Sequence, residues 1–123
     1  MTINAITDWI LQHPKRYKVC KDYSILDIKA MLLKSCNNGA LITVISNDNV
    51  IQGVAAFEVS VENKLVHINL ILIDTKIPNV FKIMLDTFHK KYTNYDIQAY
   101  RNDNLIRYKS STRLLSLLER FSK

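Results

Sequence analysis

The sequence predicts an α/β (α+β) domain built on a single mixed sheet, with an antiparallel meander, a parallel crossover strand and helices on both faces. Residues 40–73 hold three runs rich in β-branched residues that are separated by turn formers, a pattern typical of an antiparallel meander. A helical stripe follows at 79–92, and the short strand "DIQAY" follows at 96–100. Because a helix lies between the third long strand and this last strand, the two are predicted to be parallel neighbours. With 123 residues, the chain is expected to form one domain over 1–123.

Two helices are predicted ahead of the meander. Thr2 or Asn4 is a candidate N-cap for the first helix, which a proline ends. Ser24 and Asp27 have a near-capping-box spacing at the start of the second helix, and the turn formers of 37–39 end it. The apolar stripes expected to face the core are Ile6, Trp9 and Ile10 in the first helix and Ile25, Ile28, Leu32 and Leu33 in the second. Between the two helices, "YKVC" (17–20) is predicted as a short strand.

Two further helices are predicted in the second half of the chain. The helix over 79–92 has the stripe Val80, Phe81, Met84, Leu85 and Phe88. The segment "NLIRYKSSTRLLSLLERF" (104–121) is helix-prone, and its second part has the amphipathic stripe Leu114, Leu117, Leu118 and Phe121.

Composition limits the partners and the compartment. The formal net charge of +6 and the pI of about 9.4 permit contact with nucleic acid or another acidic partner. No apolar run is long enough to span a bilayer and no signal-peptide order is present, so no membrane contact is expected. Cys20 and Cys36 are too few for a disulfide framework, which favours the cytoplasm, and Cys36 is predicted to be a small buried hydrophobe. Richness in Ile, Asn and Lys is typical of an AT-rich genome such as that of many bacteria and phages, and for a phage-encoded chain the host cytoplasm or the virion is expected.

A metal site is not expected. His13, His67 and His89 lie on separate predicted elements, and the two cysteines show no metal-ligand spacing.

The hairpin of residues 54–72 is predicted to turn at Asn63 and Lys64 alone, with Glu58 opposite Asn69. This register makes one face wholly apolar, composed of Ala55, Phe57, Val59 and Val61 against Val66, Ile68, Leu70 and Leu72. The other face gathers Glu58, Ser60, His67 and Asn69, with Ser60 opposite His67. Two interpretations stay open: the floor of a pocket in which Glu58 or His67 accepts a proton, or a partly solvated sheet face.

Three stretches resemble the GNAT family of N-acyltransferases, whose fold has this same order of elements. "NDNVIQGVAAFEV" (47–59) is similar to a family hairpin, with Gly53 at the position of the family's glycine. "VHINLILID" followed by "NVFKIMLDTFHKKY" resembles the central strand and the helix whose N-terminus receives the coenzyme A pyrophosphate. "NDNLIRY" (102–108) resembles the Asn-led segment before the family's last helix.

The resemblance implies acetyl-coenzyme A as the cofactor of a working member. Its binding residues would be Lys76, Asn79, Val80 and Asn102. With Glu58, His67 and Tyr108 as catalytic residues, the chain would be an acetyl-coenzyme A-dependent N-acyltransferase.

Two departures from the family pattern favour a different function. "DTKIPNV" (74–80) has no glycine, whereas the family's closely spaced glycines let backbone N–H groups approach phosphates. Aligning Asn102 with the family's asparagine puts Lys109 at the position of the general acid, and Tyr108 falls one residue early. We therefore expect a non-catalytic interaction or assembly protein on a degenerate GNAT-like scaffold, with no cofactor and with a protein partner or self-association. Whether the chain is an enzyme stays open at this point.

A third function class follows from the segment "YRNDNLIRYKSSTR" (100–113), which interleaves aromatic and basic residues. Such residues can stack on and neutralise single-stranded nucleic acid, and the candidates are Arg101, Arg107, Tyr108, Lys109 and Arg113. The alternative is a solvated basic face around partly buried tyrosines.

Overall fold

The computed structural model describes residues 2–14, 23–101 and 104–108. These residues form three helices and a five-stranded mixed sheet, which confirms the predicted fold class. In chain order the elements are α1 (Ile3–Gln12), α2 (Ile25–Asn37), β1 (Leu41–Ile45), β2 (Ile51–Ser60), β3 (Leu65–Ile73), α3 (Val80–Lys91), β4 (Asp96–Arg101) and β5 (Asn104–Tyr108). The predicted strand at 17–20 and the predicted stripe at 114–121 lie outside the described residues.

The strand order in the sheet is the same as the order along the chain, from β1 at one edge to β5 at the other. β1, β2 and β3 are antiparallel, as the meander prediction required. β3 and β4 are parallel and are connected through α3, which confirms the predicted crossover. This parallel pairing covers Leu65–Ile68 of β3, which lie opposite Asp96–Ala99 of β4.

The helix predicted over 104–121 is wrong in its described part, because Asn104–Tyr108 is the strand β5. It pairs antiparallel with β4, from Arg101 opposite Asn104 to Ile97 opposite Tyr108. Helix propensity over five residues is a weak preference, and a neighbouring strand offers hydrogen bonds to a segment that contains β-compatible residues. The tertiary partner therefore decided the conformation.

The register of the β2–β3 hairpin also differs from the prediction. The turn contains four residues, Val61–Lys64, so Glu58 pairs with His67 instead of Asn69. A β-bulge then follows, since Ala56 pairs with Leu70 while Phe57 pairs with Ile68, and Asn69 has no partner position on β2.

The bulge divides the predicted apolar face between the two sides of the sheet. Val66 and Ile68 share one core cluster with Ala55 and Phe57, whereas Leu70 and Leu72 belong to the cluster on the opposite side. Val61 lies in the turn and is exposed. The prediction of a single continuous apolar face is therefore wrong beyond Asn69.

Helices cover both faces of the sheet, as predicted. α1 and α2 pack on one face through the cluster Ile6, Ile10, Ile28, Leu32, Ile51, Val54, Ala56, Leu70 and Leu72. α3 packs on the other face through the cluster Ala40, Val44, Ala55, Phe57, Val66, Ile68, Val80, Met84, Leu85, Phe88 and Ile97.

The predicted caps are confirmed. The Thr2 hydroxyl accepts a hydrogen bond from the Ala5 N–H, which caps α1. Ser24 and Asp27 form a complete capping box at the start of α2. The Ser24 backbone N–H, followed by its hydroxyl, holds the pKa of Asp27 below its ordinary value.

Candidate functional site

A row of polar side chains crosses the sheet at one register level. Glu58 on β2 pairs with His67 on β3, His67 with Gln98 on β4, and Gln98 with Arg107 on β5. Register partners on adjacent strands project to the same face. That face is the one covered by α2, because Lys34 of α2 contacts Glu58. We call Glu58, His67, Gln98 and Arg107 the polar row.

The two ends of the polar row are occupied by ion pairs. The Lys34 Nζ donates to Glu58 Oε1 at 3.4 Å, and Arg107 lies 3.1 Å from the Asp96 carboxylate. These side chains are partly exposed, and pairs of this kind stabilise a fold by about 0–1 kcal/mol. Their main effect is to orient Glu58 and Arg107 and to reduce their availability for another charged ligand.

The centre of the row is a hydrogen bond between two half-buried side chains. The amide Nε2 of Gln98 lies 3.0 Å from Nδ1 of His67. The donor and acceptor roles of the two groups depend on the tautomer of His67 and on the orientation of the Gln98 amide. The contact orients the His67 ring and does not by itself give His67 the role of a general base.

The structure brings together two of the four predicted polar residues. Glu58 and His67 are direct neighbours, but the Ser60 hydroxyl accepts from the Asn63 N–H in the turn and Asn69 lies at the bulge. Sequence reasoning missed Gln98, which alternates with Ile97 and Ala99 along β4. This alternation predicts the face on which Gln98 lies, but its position beside His67 also depends on the register between β3 and β4.

The junction between β3 and α3 has the chain position expected of a phosphate site. Two of its backbone donors are, however, directed to Asp74 of the loop itself. Asp74 Oδ1 accepts from the Lys76 N–H at 3.0 Å, and the Asp74 carbonyl accepts from the Ile77 N–H at 3.2 Å. Proline follows at position 78 and has no N–H to offer. Two loop donors are therefore satisfied by Asp74, and its carboxylate adds a negative charge to a loop in which a diphosphate would need positive potential.

The residues that the resemblance implies for cofactor binding differ in their exposure to solvent. Lys76 is exposed, and Asn79 is the N-cap of α3 in the left-handed region without a side-chain cap hydrogen bond. Val80 is the first residue of α3 and is almost fully buried in the core. Asn102 lies outside the described residues.

Tyr108 does not share the register level of the other two candidate catalytic residues. It pairs with Ile97, whereas the polar row that contains Glu58 and His67 continues through Gln98 to Arg107. Of the nucleic-acid candidates, Arg101 and Arg107 lie on the β4–β5 hairpin, and Arg107 is paired with an acid. Lys109 and Arg113 lie outside the described residues.

Beside its buried stripe, α2 has an exposed surface that is apolar. The prediction that Ile25 and Leu33 face the core is wrong, because Ile25 is 52% exposed, Leu33 49% and the adjacent Leu26 77%. At 100° per residue these three side chains and Lys29 fall within an arc of about 100°. We call Ile25, Leu26, Lys29 and Leu33 the α2 outer face.

A groove of about 370 Å³ lies between the helices and the edge strand β1. Its lining residues are Ile3, Ile6, Cys36, Gly39, Leu41, Thr43 and Ile45. Cys36 is exposed, so the prediction that it is a buried hydrophobe is wrong. Cys36 lies in the last turn of α2, next to Ser35, which is buried.

Comparison of the chain with protein-family models, with curated proteins and with solved structures gave no match. In residues 2–14, 23–101 and 104–108, no group of three or more His, Cys, Asp or Glu side chains is placed to hold a metal ion. Within the same ranges, no helix has the length and apolar character that a membrane crossing requires.

Proposed function

We propose that this chain is a non-catalytic interaction or assembly protein on a scaffold that resembles the N-acyltransferases. The single observation that carries the proposal is the α2 outer face, where three large aliphatic side chains are exposed on one helix surface. Contiguous exposed apolar patches on small proteins commonly mark contact sites for other proteins. A phage origin, suggested by the composition, belongs to the same proposal.

The partner that fits the α2 outer face is an amphipathic helix with an acidic side chain near its apolar stripe. Leu26 and Leu33 are seven residues apart, so they lie on one line along the helix, as in the seam between two paired helices. Lys29 lies between them on the same surface and brings a positive charge into the apolar patch. A carboxylate on the partner would complement this charge, and charge complementarity selects partners more than it adds affinity.

The test uses a synthetic helical peptide with leucines at heptad spacing and glutamates beside them, and measures its binding by fluorescence anisotropy. The wild-type chain is expected to bind it, and Leu26→Ser/Leu33→Ser is expected to weaken binding by about tenfold or more, since apolar anchors dominate such contacts. Val61→Ser is the matched control, because Val61 is also an exposed aliphatic residue but lies in the β2–β3 turn. No binding by the wild type, or equal loss with Val61→Ser, would contradict the proposed surface.

Acetyl-coenzyme A binding distinguishes the enzyme alternative. The Asp74 carboxylate accepts from the Lys76 N–H and adds a negative charge to the loop, so the melting temperature is expected to be the same with and without acetyl-coenzyme A. A saturable rise in melting temperature would overturn the non-catalytic assignment. The peptide test of the α2 outer face does not depend on this result.

The nucleic-acid alternative has a separate signature. Binding through the β4–β5 hairpin would weaken steeply with salt, and Arg107→Gln would reduce that salt dependence. The ion pair between Arg107 and Asp96 argues against it, because a phosphate would have to displace the carboxylate.

A further inference from the structure

The outer edge of β1 presents backbone donors and acceptors away from the sheet. Among the strands of residues 23–101 and 104–108, β1 lies at the edge of the sheet, and its inner side pairs with β2. The Phe57 N–H donates to the Ala40 carbonyl at 3.1 Å, so Ala40 and its alternates Ile42 and Val44 direct their backbone groups toward β2. The backbone groups of the intervening residues, at 41, 43 and 45, therefore point outward from the sheet.

The same three residues line the apolar groove described above. Leu41, Thr43 and Ile45 form its β1 wall, and Ile3 and Ile6 of α1 contribute to the opposite wall. A strand added to this edge would hydrogen-bond with 41, 43 and 45 and would bring its own alternate side chains to the groove. Residues 41, 43 and 45 therefore offer both outward backbone hydrogen-bonding groups and side chains that line an apolar groove.

We propose that a second copy of this chain occupies this edge, with the two β1 strands antiparallel about a twofold axis at Thr43. In this register Thr43 lies opposite Thr43 of the second copy, and Leu41 lies opposite Ile45. Threonine pairs and aliphatic pairs are favourable across antiparallel strands. A twofold contact uses the same patch on both copies, and the two apolar grooves then lie on the same side of one continuous ten-stranded sheet.

Charge favours this antiparallel register over a parallel one. A net charge of +6 opposes contact between two copies where lysines meet, but residues 39–47 contain no charged side chain. Lys91 donates to the Gly39 carbonyl at 3.0 Å at one end of the strand, and Asp48 lies just beyond the other end. Antiparallel pairing brings Lys91 of one copy near Asp48 of the other, whereas parallel pairing would bring like charges together.

The edge lacks the side chains that usually protect an edge strand against pairing. Natural edge strands often contain lysine, proline or an inward charge that prevents strand addition, and β1 has none of these within Leu41–Ile45. Its one irregularity is the register shift against β2 between Val44 and Ile45. Ile45 and Val50 remain exposed at its end. This inference does not depend on the α2 outer face, which lies on a different surface of the molecule.

Disulfide trapping tests the register in the 123-residue chain that contains the substitutions Cys20→Ser and Cys36→Ser. Thr43→Cys is expected to form a covalent dimer under mild oxidation, because hydrogen-bonded antiparallel partners have Cα atoms about 5.5 Å apart, within disulfide range. Leu41→Cys is the matched control and should not cross-link alone, although an equimolar mixture of Leu41→Cys and Ile45→Cys should. Equal trapping of the Leu41→Cys and Thr43→Cys chains would overturn the register.

Analytical ultracentrifugation tests the dimer without any cross-link. The wild-type chain is expected to show a concentration-dependent monomer–dimer equilibrium, and Thr43→Lys, which places two lysines face to face on the axis, should be monomeric at the same concentrations. Circular dichroism establishes that Thr43→Lys remains folded. A wild-type chain that stays monomeric into the millimolar range overturns the proposal.

Discussion

Gly53 allows α3 to approach β2, and replacing it with alanine tests how closely the two elements pack. A Cβ atom at position 53 would lie 2.8 Å from Val80 Cγ1 and 3.3 Å from Met84 Sδ. An ordinary contact begins at 3.4 Å, so the Val80 methyl would have to move by about 0.6 Å. Val80 is β-branched and has little rotamer freedom in a helix, whereas the Met84 thioether can adjust. The conflict therefore lies between positions 53 and 80.

The expected loss of stability follows from these contacts. Overpacking of a core costs about 1–3 kcal/mol, and restriction of the unfolded chain by the new methyl group offsets about 0.4–1 kcal/mol. Gly53→Ala should thus lower the free energy of unfolding by about 1–2 kcal/mol. Val80→Ala alone removes two buried methyl groups and should lower it by about 2 kcal/mol.

The double variant decides the cause. In Gly53→Ala/Val80→Ala the new methyl group occupies space that Val80 has left, so the combined loss should fall short of the sum by about 1 kcal/mol. Urea unfolding followed by circular dichroism measures all three values. Gly39→Ala is the control, because it meets no atom within 4 Å and its effect comes from a φ of +66° alone. Additivity of the two changes within about 0.5 kcal/mol would refute the steric argument.

Three further predictions concern local features. Ser24→Ala should lower the unfolding free energy by about 1 kcal/mol through loss of the α2 cap. Because the pKa of Asp27 is lower in the folded state, the Asp27 carboxylate should stabilise the fold at neutral pH, and this stabilisation should disappear as the pH falls through and below the ordinary value of 3.8. Urea unfolding of the wild type and of Asp27→Asn over this pH range measures the contribution. Lys64 has a φ of 47°, so Lys64→Gly should raise the unfolding free energy by about 0.5–1 kcal/mol in the same assay, and a loss would show that its side chain has an unrecognised role. Phe57 and Phe88 have ring centroids 4.9 Å apart in an edge-to-face arrangement. A double-mutant cycle in which each is replaced by leucine should give a coupling free energy of about 0.5–1.5 kcal/mol. Zero coupling would show that the two rings stabilise the fold through buried apolar area alone.

The local signals in the chain predicted the caps and the kinds of element. The hydroxyl of Thr2 and the spacing of Ser24 and Asp27 act within four residues, so no distant contact was needed to place the starts of α1 and α2. The β-branched runs and the helix after β3 predicted the meander and the parallel pair, because chain connectivity leaves few other arrangements.

The candidate site was only partly within reach of the sequence. Alternation along β2 and β3 correctly placed Glu58 and His67 on one face. Their direct pairing, and the extension of the row to Gln98 and Arg107, depend on the length of the turn and on how β4 and β5 align. A shift of two residues preserves the face of every side chain, so burial alone does not distinguish these registers.

Tertiary contacts decided the remaining features. The bulge at Asn69 moves Leu70 and Leu72 to the α1–α2 side, where those helices need apolar partners. β4 turned Asn104–Tyr108 into a strand, and the packing of α2 through Ile28 and Leu32 left Leu26 and Leu33 outside the core. Sequence patterns record which residues avoid water, but the surface each one meets depends on elements far away in the chain, and the free energies that separate those choices are small.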